Sequence, residues 1–232
     1  MSTVPATDVP ALTFEGRVQV PATVFSLPKF REWVHSEGFP ERLRASFIAG
    51  NVEVDMSPEN TEFHGKVKVE LVVRLGSLVR ERSLGHVYSD RTLLVCEPAG
   101  LATEPDVLFC SWESRLAGRV CLGERVSGSG NYVELIGAPD LVVEVVSTSS
   151  VRKDTKLLRQ QYYRAGIPEY WLIDARGNQI DFEILVRGVD DYIPVVPDAE
   201  NFRRSPVFDT RFLLERQLDR LGEFEYRLLQ RS

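Results

Sequence analysis

The stretch "PDLVVEVVSTSS" beginning at Pro139 constrains this chain more than any other. Its valines favour a strand, and a strand buried on both faces reads as a continuous apolar run. Glu144 interrupts that run. A lone buried carboxylate is costly unless a partner or a metal compensates it, so something must face Glu144. Residues two apart in a strand share a face, which points Asp140, Val142, Glu144 and Val146 one way and Leu141, Val143 and Val145 the other. Asp140 and Glu144 are nonetheless about 13 Å apart along the strand, whereas the ligands of one Mg²⁺ all lie about 2.0–2.1 Å from it. Any metal partner of Glu144 must therefore come from another strand. Asp106, in "TEPDVLFC", is the candidate, because adjacent strands run about 4.8 Å apart.

The rest of the chain supplies the frame for that strand. Residues 1–25 are rich in Pro, Thr and Ala without a clear period and are expected to form an irregular N-terminal arm, with residues 26–232 as one domain. "SLPKFREWVHSEG" predicts a short helix, with Ser26 as N-cap and Phe30, Trp33 and Val34 at helical spacing. "RASFIAGNVEVDMS" predicts a hairpin turning around Gly50 and Asn51. "TEFHGKVKVELVVRLGSLVRERSLG" predicts a long helix with Val67, Leu71, Leu75, Leu78 and Val79 on one face and a stop at Gly85. Three strands are expected in "HVYSDRTLLVCE", "EPDVLFCSW" and "YVELIGAPDLVVEVVS", with a long Gly- and Ser-rich loop before the third. A helix from about 150 to 165 ends at Gly166. The hairpin "EYWLID" and "QIDFEILV" follows, and the tail ends in an amphipathic stretch from about Phe208 to Leu229. This order predicts an α/β or α+β fold around a mixed sheet.

Composition narrows the function classes. Three cysteines, Cys96, Cys110 and Cys121, lack zinc spacing and are expected to be reduced thiols. No run is long and apolar enough for a membrane span, and the N-terminus has no basic-then-apolar signal pattern, so a cytoplasmic protein with no membrane partner is expected. The formal net charge of −6 argues against a broad nucleic-acid-coating surface while leaving room for a local groove.

A metal site that hydrolyses phosphodiesters also needs a group near the attacking water, and lysine suits that role. Many nucleases place it two residues after the glutamate, where this chain has Val146. The nearest lysines, Lys153 and Lys156, lie in the first turns of the next helix, from which Lys156 could reach back over the site. Arg152, Lys153 and Arg159 are candidates for holding neighbouring phosphates. Glu70, His64 and Asp140 are candidate accessory groups, although each has a plainer reading: a solvated helix face for Glu70, a capping or packing histidine for His64, and a turn acid after Pro139 for Asp140.

The segments "EPDVLFCSW", "APDLVVEVVSTSSVRKDTK" and "YYRAGIPEYWLIDAR" resemble the PD-(D/E)XK restriction-endonuclease-like superfamily, most closely its Uma-two-like group. "GNVEVDMSPENTEFHGKVKVE" matches that group's upstream region, so the resemblance spans about residues 45–190. It implies a restriction-endonuclease-like α/β fold, a mixed central sheet flanked by helices. It also implies a site for Mg²⁺ or Mn²⁺ built from Asp106, Glu144 and the carbonyl of Val145. The group often carries lysine at the position of Leu158 and glutamate at that of Asn51. The expected function is divalent-metal-dependent endonucleolytic hydrolysis of nucleic acid, with DNA the expected substrate, Asp106, Glu144 and Lys156 as catalytic groups, and a homodimer compatible with the pattern. The alternative is a binding or regulatory module that keeps the nuclease fold with little or no catalysis.

Overall fold

A computed structural model describes residues 11–14, 18–40, 43–124 and 130–231. Part of the predicted N-terminal arm and the centre of the predicted Gly- and Ser-rich loop lie outside these residues. Within the arm, β1 (Ala11–Phe14) and β2 (Val18–Pro21) pair antiparallel, so this segment has regular structure that its composition did not suggest.

Helix α1 (Leu27–Val34) starts after Ser26 with Pro28 in its first turn and buries Phe30 and Trp33. Strands β3 (Arg44–Ile48) and β4 (Asn51–Asp55) form the expected hairpin. Its two-residue turn is Ala49–Gly50, both at positive φ, as tight hairpins require. The first long helix begins with a π-helical turn (Thr61–Gly65), where the Asn60 side chain accepts from the Glu62 and Phe63 amides, and continues as α2 (Lys66–Glu81). Its predicted apolar face, Val67, Leu71, Leu75, Leu78 and Val79, is buried.

The following region is more finely divided than its sequence suggests. It contains β5 (Gly85–Ser89), β6 (Leu93–Cys96), β7 (Leu101–Thr103), β8 (Val107–Ser111), the short helix α3 (Trp112–Leu116) and β9 (Val120–Glu124). The predicted loop thus holds a helix end and a strand. The predicted strand 132–147 is two strands, β10 (Tyr132–Gly137) and β11 (Leu141–Val145), which belong to different sheets. Gly137 permits the switch: its φ is +116°, and a Cβ there would lie 2.1 Å from the Arg119 carbonyl oxygen.

A π-helical segment (Lys153–Leu158) leads into α4 (Arg159–Ala165), which Gly166 ends at φ +81°. Then come β12 (Glu169–Asp174), β13 (Asp181–Arg187), β14 (Tyr192–Pro194) and a meander of β15 (Arg203–Ser205), β16 (Thr210–Leu218) and β17 (Phe224–Arg231).

Two six-stranded mixed sheets organise the chain, in the orders β4-β3-β7-β6-β10-β9 and β14-β13-β12-β11-β8-β5. Each contains one parallel pair, β6 with β10 and β11 with β12. Strand β11 is central and wholly buried. Its two faces serve different cores, as the alternation requires. Leu141, Val143 and Val145 pack with α2, Trp171 and the meander residues Phe208 and Phe212, while Val142 packs with Leu158, Tyr162 and Tyr170. Glu144 is on the Val142 side. No helix among the described residues is long and apolar enough to cross a membrane.

Candidate active site

Strand β11 runs out at Val145, and the turn Val146–Ser149 drops the chain into the helical segment that starts near Ser150. That turn is tied by Ser147 and Ser150, each side chain accepting from the other's backbone amide. The result is a cleft of about 160 Å³ between the two sheets. It is walled by Glu104 and Asp106 before β8, Glu144 and Val145 at the end of β11, Lys153 and Asp154 on the π-helical segment, and His64 from the turn before α2.

Glu144 is 3 % exposed. Its Oε1 accepts from the Tyr162 hydroxyl at 2.5 Å. Burial first, then repulsion from Asp154 and Asp106, pushes its carboxyl well above the ordinary range, and the Lys153 ammonium only partly opposes this. Asp106 reaches across from the neighbouring strand: its Oδ2 accepts from the Val145 amide at 2.8 Å and stands 3.4 Å from His64 Nε2. Asp106 and Glu144 thus line the same cleft.

Asp154 completes a group of three carboxylates. Burial raises its carboxyl to about 6, against the pull of Lys153 and of the Ser150 hydroxyl, which donates to Oδ2. Its Oδ1 is buried without a hydrogen bond, the Lys153 ammonium being 3.7 Å away. Lys153 itself is largely desolvated, which lowers its affinity for a proton, but Glu144, Asp154 and Asp106 outweigh this and raise it. It stays an ammonium. Behind Asp106, the His64 ring is held between Glu59, at 2.8 Å from Nδ1, and Asp106. Burial disfavours its charge, yet those two carboxylates raise its pKa overall. Lys68 adds an ammonium 2.6 Å from Glu59 and 2.8 Å from Asp90.

Several expected residues are elsewhere. Lys156, predicted as the catalytic lysine, is exposed and lines a separate groove with Arg159 and Arg164. The helical phase explains this: with Asp154 turned inward, Lys156 two residues on faces away, and Lys153 takes the inner place. Glu70 accepts from Arg74 and from the Leu228 amide, joining α2 to the meander instead of the cleft. Asp140, at the opposite end of β11, accepts from the Ser111 amide at 2.6 Å, the Ser114 hydroxyl and Arg119, which makes it a structural acid. Arg159 pairs with Asp191 and the Tyr192 carbonyl, outside the cleft, and Arg152 does not line it. Asp154, Glu59 and Glu104 were not singled out from the sequence. Asp154 alone had a signal there, as the acid of the polar turn after the glutamate strand.

The donor set suits a hard divalent cation. Seven carboxylates against three cationic side chains line the cleft, and one buried carboxylate oxygen has no hydrogen bond. Among the described residues no three His, Cys, Asp or Glu side chains enclose an ion on their own. Mg²⁺ does not need such a cage, since it commonly keeps several waters and uses one or two carboxylates.

Residues 27–214 match the model of the Uma2 family, described as "Putative restriction endonuclease". Among solved structures, the chain is similar to "a putative nuclease belonging to DUF820" from Anabaena variabilis, with 18 % identity over 79 % of this chain and 90 % of that one and a TM-score of 0.57. At that identity the likeness is one of fold. No curated protein matches the chain.

Proposed function

Because the chain belongs to the Uma2 family, we propose that it is a nuclease whose cleft hydrolyses phosphodiester bonds of nucleic acid, DNA foremost, with Mg²⁺ or Mn²⁺. The observation that carries this reading is the convergence of Asp106, Glu144, Asp154 and Lys153, from three separate elements, on one cleft. A structural role explains Glu144 poorly. Nothing in a purely structural role requires a buried carboxylate beside two others with one ammonium between them.

Asp106, Glu144 and the Val145 carbonyl would hold the cation, which supplies Lewis acidity toward a phosphate oxygen and a lowered pKa for a water. The remaining tasks belong to the chain. Lys153, held charged by its acidic neighbours, cannot accept a proton; it orients the phosphate and offsets the negative charge that builds on it in the transition state. Asp154, its carboxyl raised to about 6 and so largely ionised at neutral pH, takes a proton from the attacking water through Oδ1, which has no hydrogen bond in the chain. His64 and Tyr162 position the two metal-binding carboxylates. The lysine function is thus assigned to Lys153, while Leu158, where the group often has lysine, is buried in the core.

The test is cleavage of labelled single-stranded and duplex DNA with Mg²⁺ or Mn²⁺, comparing the wild type with Glu144→Gln. The wild type should cut and the variant should not. Binding without cutting by the wild type would instead support the non-catalytic module, the reading that Leu158 favours.

A further inference from the structure

We propose that the outer face of the helix leaving the cleft is a track for the nucleic-acid backbone, with Arg152, Lys156 and Arg164 as phosphate contacts. This rests on the nuclease reading and extends it to how substrate is held. The three cations, with Gln160, recur every four residues from 152 to 164, and all four are exposed. Such spacing keeps them on one side of the helix. Lys153 and Asp154, in the same turn as Arg152, face the cleft, so the stripe starts at the cleft mouth.

Three features separate this stripe from an ordinary solvated face. Other cations of this acidic chain are mostly engaged: Lys29 with Glu32, Arg74 with Glu70, Arg119 with Asp140, Arg176 with Asp174. Among the described residues Arg152, Lys156 and Arg164 have no ion pair; of the two acids that share the groove of Lys156 and Arg164, Asp191 is taken by Arg159 and Asp190 pairs with none of them. Helix electrostatics oppose the start of the stripe, though they favour Arg164 in the last turn. Cations in a first turn face the positive end of the dipole, and the like-charged pair Arg152 and Lys156 at i, i+4 destabilises the helix further. Finally, the cleft has a large excess of carboxylates and cannot itself attract a polyanion, so attraction must come from its rim. The stripe spans at most about 18 Å at 1.5 Å per residue, room for about five phosphates of one duplex strand at 3.4 Å each.

The experiment measures binding of the full chain to labelled 20-nucleotide single strands and duplexes in chelator, where cleavage cannot intervene, over a series of salt concentrations. Lys156→Glu/Arg164→Glu should raise Kd about tenfold at 0.1 M salt and reduce the slope of log K against log salt by about 1.4 for single strands or 1.8 for duplex. Lys156→Arg/Arg164→Lys should restore both. Unchanged affinity and salt slope in the charge-reversed variant would overturn the track while leaving the nuclease reading intact. Wild-type binding that depends on the stripe without any cleavage would retain the track and overturn the nuclease reading.

Discussion

Glu144→Gln separates a metal-binding carboxylate from a structural one, because the two roles move stability in opposite directions. The substitution keeps the side-chain shape and leaves an oxygen for the Tyr162 hydroxyl, so the 2.5 Å hydrogen bond survives. What disappears is a buried ionisable group whose charged form is disfavoured by burial and by Asp154 and Asp106. A carboxyl raised above its unfolded value destabilises the fold at higher pH by about 1.4 kcal/mol for each unit of the rise, and the substitution removes that penalty. A gain of about 2 kcal/mol corresponds to about 4–8 °C in Tm for a chain of this size. The metal-free variant should therefore melt higher than the wild type at pH 8. The gain has a defined pH dependence. The Glu144 carboxyl is raised in the folded state, so protonation favours folding, and the wild type recovers stability as pH falls through that raised value toward the unfolded value near 4.5. Near pH 4.5 the gap should close. Mn²⁺ then reverses the order: at a hundred times its Kd it adds about 2.7 kcal/mol to the wild type, and little to the variant. Differential scanning fluorimetry with chelator and with Mn²⁺, across pH, reads all three effects. A variant that melts lower than wild type in chelator, or that gains as much from Mn²⁺, would make Glu144 a structural partner of Tyr162 and refute the site.

Lys153→Met should lower kcat by about 10²–10³-fold, the usual cost of removing one preorganised charge from a transition state, whereas Lys156→Met should leave kcat at saturation unchanged; steady-state cleavage kinetics on one substrate decide both. Asp140→Ala strips Ser111, Ser114 and Arg119 of their shared acceptor and should cost about 2–3 kcal/mol in urea unfolding, with cleavage by the folded variant unaltered. Burial works to raise the Glu59 carboxyl, but Lys68 and His64 prevail and hold it at about 2 against 4.5. A lowered carboxyl stabilises above its unfolded value and loses that contribution as pH falls toward its folded value. Glu59→Gln should accordingly flatten the acid limb of stability between pH 4.5 and 2, visible by circular dichroism, and an unchanged limb would contradict the pairing. Gly85→Ala should destabilise by about 3 kcal/mol, since its φ is +155° and the new Cβ would lie 2.1 Å from the Cys110 carbonyl oxygen; equal urea midpoints would count against the β5–β8 register.

Local rules sufficed for elements whose packing is recorded in their own periodicity. The buried face of α2, the β3–β4 hairpin, the β12–β13 hairpin and the alternation of β11 all follow from spacing alone, and a lone acid in a valine strand calls for a partner opposite it. Asp106 was reachable because strand spacing forces the partner of Glu144 onto a neighbouring strand. The sequence alone could not divide residues 132–147 between two sheets, because what splits them is the close approach of Gly137 to the Arg119 carbonyl, a contact between distant segments. Nor could it choose between Lys153 and Lys156. Both lie within the first two turns of the helix, and only the seating of Leu158, Tyr162 and Asp154 against the sheet sets the rotation that turns one ammonium into the cleft and the other into solvent. That rotation is a property of the packed helix and sheet together, because a shift of about 100° per residue makes neighbouring positions indistinguishable until the apolar face has docked.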